Sequence, residues 1–176
     1  GASSAHATQI VEGGAPVDVV ASANELQMQR VLDSGDVAES QVFAHNGLVV
    51  VVPPDSAIST FAGIADAGVR LVLAAPDVPI GAYAREVIQV ASASGQFGTG
   101  FETAVLNNVV SEEANVRQVL TKVELGEADA GIVYATDAIA SGDLVRTIAV
   151  PTEFAPLAVY PIAVIEGTSH PEAAQQ

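Results

Sequence analysis

The 176-residue chain contains no cysteine and no tryptophan, a single methionine, and only 5% aromatic residues. Without cysteine there is no disulfide, no thiolate nucleophile and no cysteine-ligated zinc. That composition fits an extracytoplasmic protein that folds without disulfides. Basic side chains are the next shortage: 6 Lys and Arg stand against 21 Asp and Glu, for a formal charge of -15. Nucleic acid needs clustered Lys and Arg against its phosphates, and an anionic membrane surface needs the same, so both partners are disfavoured. The acidic excess also keeps copies apart and predicts a monomer. No run of eighteen apolar residues reads as a membrane span. Gly1-Ala2-Ser3-Ser4 is a small-residue turn that runs straight into helix-like sequence, and an export signal is expected upstream of these residues.

What the chain does have is Ala, Val and Gly, enough apolar mass for one large domain or two small lobes. The pattern alternates short buried strands with helices. Helices are expected over Ala5 to Val11, from Asn24 (an N-cap with Gln27 as its partner) through Leu26, Met28, Val31 and Leu32, over Ser59 to Ala67, and over Ala82 to Ala91. Strands are expected at Val17 to Ala21, Val42 to Ala44, Leu48 to Val52, Gly68 to Ala75, Gly131 to Val133, Leu144 to Val150 and Ala158 to Ile165. Five consecutive apolar residues at Leu48 to Val52 mark a strand covered on both faces. Ser94 to Phe101 is glycine-rich but lacks the Gly-Lys-Ser/Thr ending of a phosphate loop, and reads as a surface insertion. The whole predicts an α/β fold in two lobes, residues 1–47 with 157–176 and residues 48–156, with a ligand cleft between them.

The most informative stretch is Gly126-Glu127-Ala128-Asp129-Ala130-Gly131-Ile132-Val133-Tyr134-Ala135-Thr136-Asp137-Ala138. It turns from helix to strand to helix and leaves Tyr134 where the strand ends, the usual edge for ligands in an open α/β sheet. A tyrosine hydroxyl there offers one donor, although the same pattern fits a tyrosine that caps a core. Other helix starts carry donors too. Ser3 and Ser4 open one helix, Ser22 precedes another, Ile80 follows Pro79 at a third, and Val116 follows the capping residue Asn115 at a fourth. Early N–H groups in a helix have no internal acceptor and suit an anion, and they equally suit ordinary capping. This is a binding design without a nucleophile-base pair.

Read together, Ala2-Ser3-Ser4, Gln9-Ile10, Gly14 to Asn24, Leu48 to Pro53, Pro79 to Ala84, Asn115-Val116-Arg117, Gly126 to Ala138 and Tyr160 to Gly167 resemble the periplasmic molybdate-binding proteins of ABC transporters (the ModA family), in order through almost the whole chain. The resemblance implies a type II periplasmic-binding-protein fold. It also implies a tetrahedral molybdate or tungstate ligand, held by hydrogen bonds with no metal coordinated directly and no cofactor. The implied contacts are Ser3, Ser4, Ser22, Ile80 and Val116 (backbone donors in the last two) and the Tyr134 hydroxyl. It further implies a permease and ATPase complex as partner, a periplasmic or membrane-anchored extracellular location, and no enzymatic activity. An earlier strand with a serine turn, and a terminal helix, belong to the family pattern and are expected outside these residues. Ile80 replaces the family's usual alanine in its Pro-Ala-Gly turn.

Three alternatives remain at this level. Sulfate or phosphate shares the tetrahedral geometry; a protonated phosphate would also need an acceptor, for which Asp77, Glu113 and Asp137 are candidates. A serine hydrolase would pair Ser4 with His6 or Ser22 with His45, yet neither pair has the strand-elbow-helix serine motif. A module that interacts without any solute would show the same alternation.

Overall fold

The computed structural model describes residues 1–175. In chain order its main elements are α1 (Ser3–Val11), β1 (Val19–Ala21), α2 (Glu25–Ser34), β2 (Gln41–Asn46), β3 (Leu48–Val52), β4 (Leu71–Ala74), α3 (Pro79–Ala93), α4 (Phe101–Asn107), β5 (Val109–Glu113), α5 (Val116–Glu124), β6 (Ala130–Tyr134), α6 (Ala135–Ser141), β7 (Arg146–Ala149), β8 (Ala158–Val164) and α7 (Pro171–Ala174). The chain divides into two compact units. One joins residues 1–46 to the segment from Ala158 onward, and the other is Gly47–Leu157.

In the first unit β1 and β2 both pair antiparallel with β8, giving the order β1-β8-β2. Ala7, Ile10, Met28 and Val31 of α1 and α2 pack on Val20, Val37 and Ala163. Pro161 lies inside β8 and has no N–H to give the ladder, and the register of β2 slips opposite it, between Val42 and Ala44. The Pro161 carbonyl instead accepts the Ser22 N–H at 2.9 Å. On α2 the expected Asn24 cap is present, accepting from the Gln27 N–H at 3.0 Å. The expected apolar face is corrected at one position: Leu26 is 64% exposed, while Met28 and Val31 are buried. Position 26 lies two residues before 28 and so points away from the face that 28, 31 and 32 share.

The second unit holds five strands in the order β5-β4-β6-β3-β7. β4 runs parallel to β5 and β6, whereas β3 is antiparallel to β6 and β7. Every residue of β4 and β6 is buried, which is why both read as unbroken apolar runs. Because β4, β5 and β6 point the same way, the helices that follow them, α3, α5 and α6, all start at one carboxyl edge.

Pro79 takes the first position of α3, which needs no N–H, so this helix starts three residues earlier than expected. Its buried face is therefore Ile80, Ala84, Val87, Ile88 and Ala91. Tyr83, Val87 and Val90 fall at i, i+4 and i+7 and in sequence read as one core-facing side, but only Val87 is core; Val90 is 41% exposed. The first turn of α3 sits so close to the end of β4 that a Cβ at Gly81 would lie 2.1 Å from the Ala75 carbonyl oxygen and 2.5 Å from that of Ala74.

Three further expectations change. The glycine-rich loop is not a bare insertion, because Phe97 stacks on Phe101 at 4.8 Å and meets Phe61 and Phe154 at 5.6 Å each. The segment Ser59 to Ala67 forms only a 3-10 turn over Phe61–Ala65. Glu112 and Glu113, acids just ahead of the Asn115 cap that in sequence read as the start of a helix, end β5 instead, and strand alternation sends them to opposite faces. Glu112 pairs with Arg85 of α3, and Glu113 pairs with Lys122 of α5 at 2.6 Å and accepts from Ser111 at 2.8 Å. Lys122, which in sequence reads as a solvent contact, is thus an internal partner.

Two measurements follow from this geometry. Gly81→Ala should cost about 1–3 kcal/mol or more, since both nearby atoms are backbone, and should appear as a lower urea midpoint with an unchanged slope. For Glu113, burial pushes the carboxyl up, but hydrogen bonds from Lys122 and Ser111 and the Lys122 charge hold it, on balance, below its ordinary value of 4.5. A carboxyl lowered in the folded state stabilises above its unfolded value and ceases to do so as pH falls through the folded one. Glu113→Gln should therefore lose on the order of 1 kcal/mol at pH 7 in denaturant titrations, and the gap to wild type should close progressively below about pH 4.5.

Candidate functional site

In the first unit the candidate donors cluster at the start of α1 and the turn after β1. Ser3 and Ser4 are the first two helical residues, because the helix is capped by the extended residue Ala2 without any side-chain bond. Their N–H groups precede any intrahelical acceptor. The Ser3 Oγ accepts from the Ala23 N–H at 2.9 Å, which joins the two segments and leaves the Ser3 hydroxyl proton for another acceptor. Ser4 is buried at 9% exposure. Ser22 is also buried, and its hydroxyl already donates to the Asn24 carbonyl at 2.8 Å, so it shapes the turn before α2.

In the second unit the other three candidates lie along the carboxyl edge of the parallel strands. Ile80 is the second residue of α3 and is 1% exposed. Val116 is the first residue of α5, where the Asn115 side chain accepts from the Gln118 N–H at 3.1 Å and the Gln118 side chain accepts from the Ala114 N–H at 3.1 Å. This reciprocal pair satisfies the N–H groups on either side of Val116 and fixes its direction. Tyr134 ends β6, 5% exposed, and serves as the residue before α6, whose first N–H, that of Ala135, donates to the Gly47 carbonyl at 2.8 Å. The β4–β5–β6 arrangement thus brings Ile80, Val116 and Tyr134 to one edge of one sheet.

Charge at this edge is sparse. Arg70 pairs with Asp129 at 2.6 Å, Arg85 with Glu112 and Lys122 with Glu113, while Arg146 donates to the Ser56 and Ile58 carbonyls. In the first unit Arg30 donates to Gln27 and Thr8. Sequence reading placed no base at the candidate site, but Arg117 lies there, exposed beside Val116 in the first turn of α5. Its charge acts on Asp137 in the first turn of α6: burial pushes the Asp137 carboxyl up and the Arg117 charge opposes that. The signal was present in Arg117 following Val116 and in Asp137 three places after Tyr134, but only the crossover of α5 from β5 to β6 brings the two helix starts to the same edge.

Of the three carboxylates considered as acceptors for a protonated anion, Glu113 is spent on Lys122 and Ser111, Asp77 is exposed before α3, and Asp137 alone sits half-buried at the edge. The hydrolase pairs gain nothing from the fold. Ser4 and His6 are two apart on a helix and do not face each other, and the Ser22 hydroxyl is turned to its own backbone. Neutral donors with Arg117 beside them, and no nucleophile, can orient and hold an oxyanion.

Among known proteins, the bacterial extracellular solute-binding protein family matches residues 1–176. The molybdate-binding protein ModA of Mycobacterium tuberculosis (strain H37Rv) is 36% identical over 177 residues, covering 99% of this chain and 63% of that protein. The chain therefore spans a little under two thirds of that relative's length. The Azotobacter vinelandii periplasmic molybdate-binding protein superposes with a TM-score of 0.81 at 19% identity, covering all of this chain and 76% of the other. The sulfate-binding protein SubI of M. tuberculosis superposes with a TM-score of 0.85 at 21% identity, covering 99% and 66%. At such identities these two structures speak for the fold, which is the type II periplasmic-binding-protein fold expected from the sequence. On the family match across its full length, the chain belongs to the bacterial extracellular solute-binding proteins.

Proposed function

We propose that this chain captures molybdate or tungstate outside the cytoplasm and delivers it to the permease and ATPase of an ABC importer. The observation that carries the reading is the meeting of three helix starts at the carboxyl edge of β4, β5 and β6, while the nearby bases Arg85 and Lys122 are spent on carboxylates. Donors fixed in the backbone reward an anion with no proton to hide, and a dry edge strengthens each bond. The proposed contacts are Ser3, Ser4 and Ser22 in one unit and the Ile80 and Val116 N–H groups with the Tyr134 hydroxyl in the other. The 36% identity to a protein named as molybdate-binding supports this oxyanion over others. The protein acts as a monomeric carrier in the periplasm or from a membrane anchor, without catalysis, without a cofactor, and with transport energy supplied by its partner.

A second reading, a phosphate or sulfate carrier, draws on Asp137. A half-buried carboxyl at the edge is the acceptor that a protonated oxyanion needs, although sulfate would be repelled by it. Calorimetric titration of the complete mature protein with molybdate, tungstate, sulfate and phosphate separates these. Tight one-to-one binding of molybdate and tungstate with weak sulfate and phosphate is the expected result, and no heat from any of the four rejects oxyanion capture. In the same assay Tyr134→Phe should weaken molybdate binding by about tenfold, the scale of one hydrogen bond to a charged acceptor. An unchanged affinity removes Tyr134 from the site.

A further inference from the structure

We propose that Arg85 is a positioning residue for anion capture: one guanidinium seats the first turn of α3 on the end of β4 and ties it to β5, and so aims the Ile80 N–H. This inference rests on the oxyanion reading above. Arg85 Nη1 donates to the Ala74 carbonyl at 2.9 Å and to the Gly81 carbonyl at 3.0 Å, and Nη2 pairs with the Glu112 carboxylate. Ala74 is the last residue of β4, Gly81 is the residue after Ile80, and Glu112 stands four places before Val116. A single planar group therefore holds the peptide just after one proposed donor, the end of the strand before it, and the strand end that leads to another donor.

The side chain is 24% exposed and its charge is met by Glu112, so it is placed to hold backbone rather than to touch a ligand. The body of α3 does not depend on it, because Ala84, Val87, Ile88 and Ala91 are buried against the unit. What Arg85 controls is the short first turn, where Gly81 has already removed the side chain that would otherwise fix the spacing. Lysine cannot replace it. An ammonium on a flexible stem lacks the rigid fork that reaches two carbonyls with one nitrogen and a carboxylate with the other.

The test uses Arg85→Met and Arg85→Lys in the complete mature protein. Amide hydrogen exchange is followed at Ala82, whose N–H closes the first turn on the Val78 carbonyl at 3.0 Å, with β6 amides as an internal reference, and molybdate affinity is measured by calorimetry. Both variants should exchange faster at Ala82 while β6 is unchanged, and should bind molybdate about tenfold more weakly. If the methionine variant fails to fold, the lysine variant, which keeps the charge and the aliphatic stem, carries both readouts. Wild-type exchange at Ala82, or faster exchange with undiminished affinity, overturns the positioning role. A lysine variant that matches wild type in both also overturns it, because charge alone would then suffice. If the wild-type protein binds none of the four oxyanions, the carrier reading fails, and the exchange arm still decides whether Arg85 governs the turn.

Discussion

The contact between the first turn of α3 and the carboxyl end of β4 constrains much of the second unit. It admits no Cβ at Gly81, because the Ala74 and Ala75 carbonyls occupy that space. Pro79 fits the same requirement from the other side, since a first helical residue needs a preset backbone and no donor. With the helix seated this tightly, Ile80 becomes part of the core and its N–H lies at the sheet edge, not out in a loop. The phase of the whole helix follows, so that Val87, Ile88 and Ala91 face inward and Val90 does not.

Ion pairs in this protein act as internal braces. Adjacent glutamates on β5 reach to opposite faces of the sheet, one to Arg85 on α3 and one to Lys122 on α5. Arg70 braces β4 against the turn before β6 in the same manner, through Asp129 and the Gly126 and Glu127 carbonyls. A chain with six bases and -15 net charge has little cationic surface left once these are placed. The contacts proposed for an anion are backbone amides and hydroxyls, which carry direction but no net charge.

The parts of the fold that could be read from sequence were those with a local cause. Buried strands such as Leu48 to Val52, the Asn24 and Asn115 caps, and the strand ending at Tyr134 each carry their signal within a few residues. Misreadings came where a distant partner decides. Glu112 and Glu113 look like helix-start acids until β4 pairs with them, and Leu26 looks apolar enough for a core that α2 turns away from it. Phe97 sits in a loop of glycines and serines, yet three other phenylalanines hold it. The candidate donors were legible as helix starts. The influence of Arg117 on Asp137 and the Arg85 brace were not, because each joins elements through a crossover that no short window contains.

The connectivity of the two units has a consequence for the order in which the chain acquires structure. Residues 47–157 form one continuous unit, whereas the sheet of the other unit needs partners from both sides of it; Asn46 and Tyr160 are hydrogen-bonded although 114 positions apart. Closing so long a loop is entropically costly while the intervening chain is open, and cheap once it has collapsed on itself. The inserted unit is therefore placed to form first, and β8 reaches β1 and β2 only afterwards. A slow, late step in refolding belongs to the β1-β8-β2 sheet.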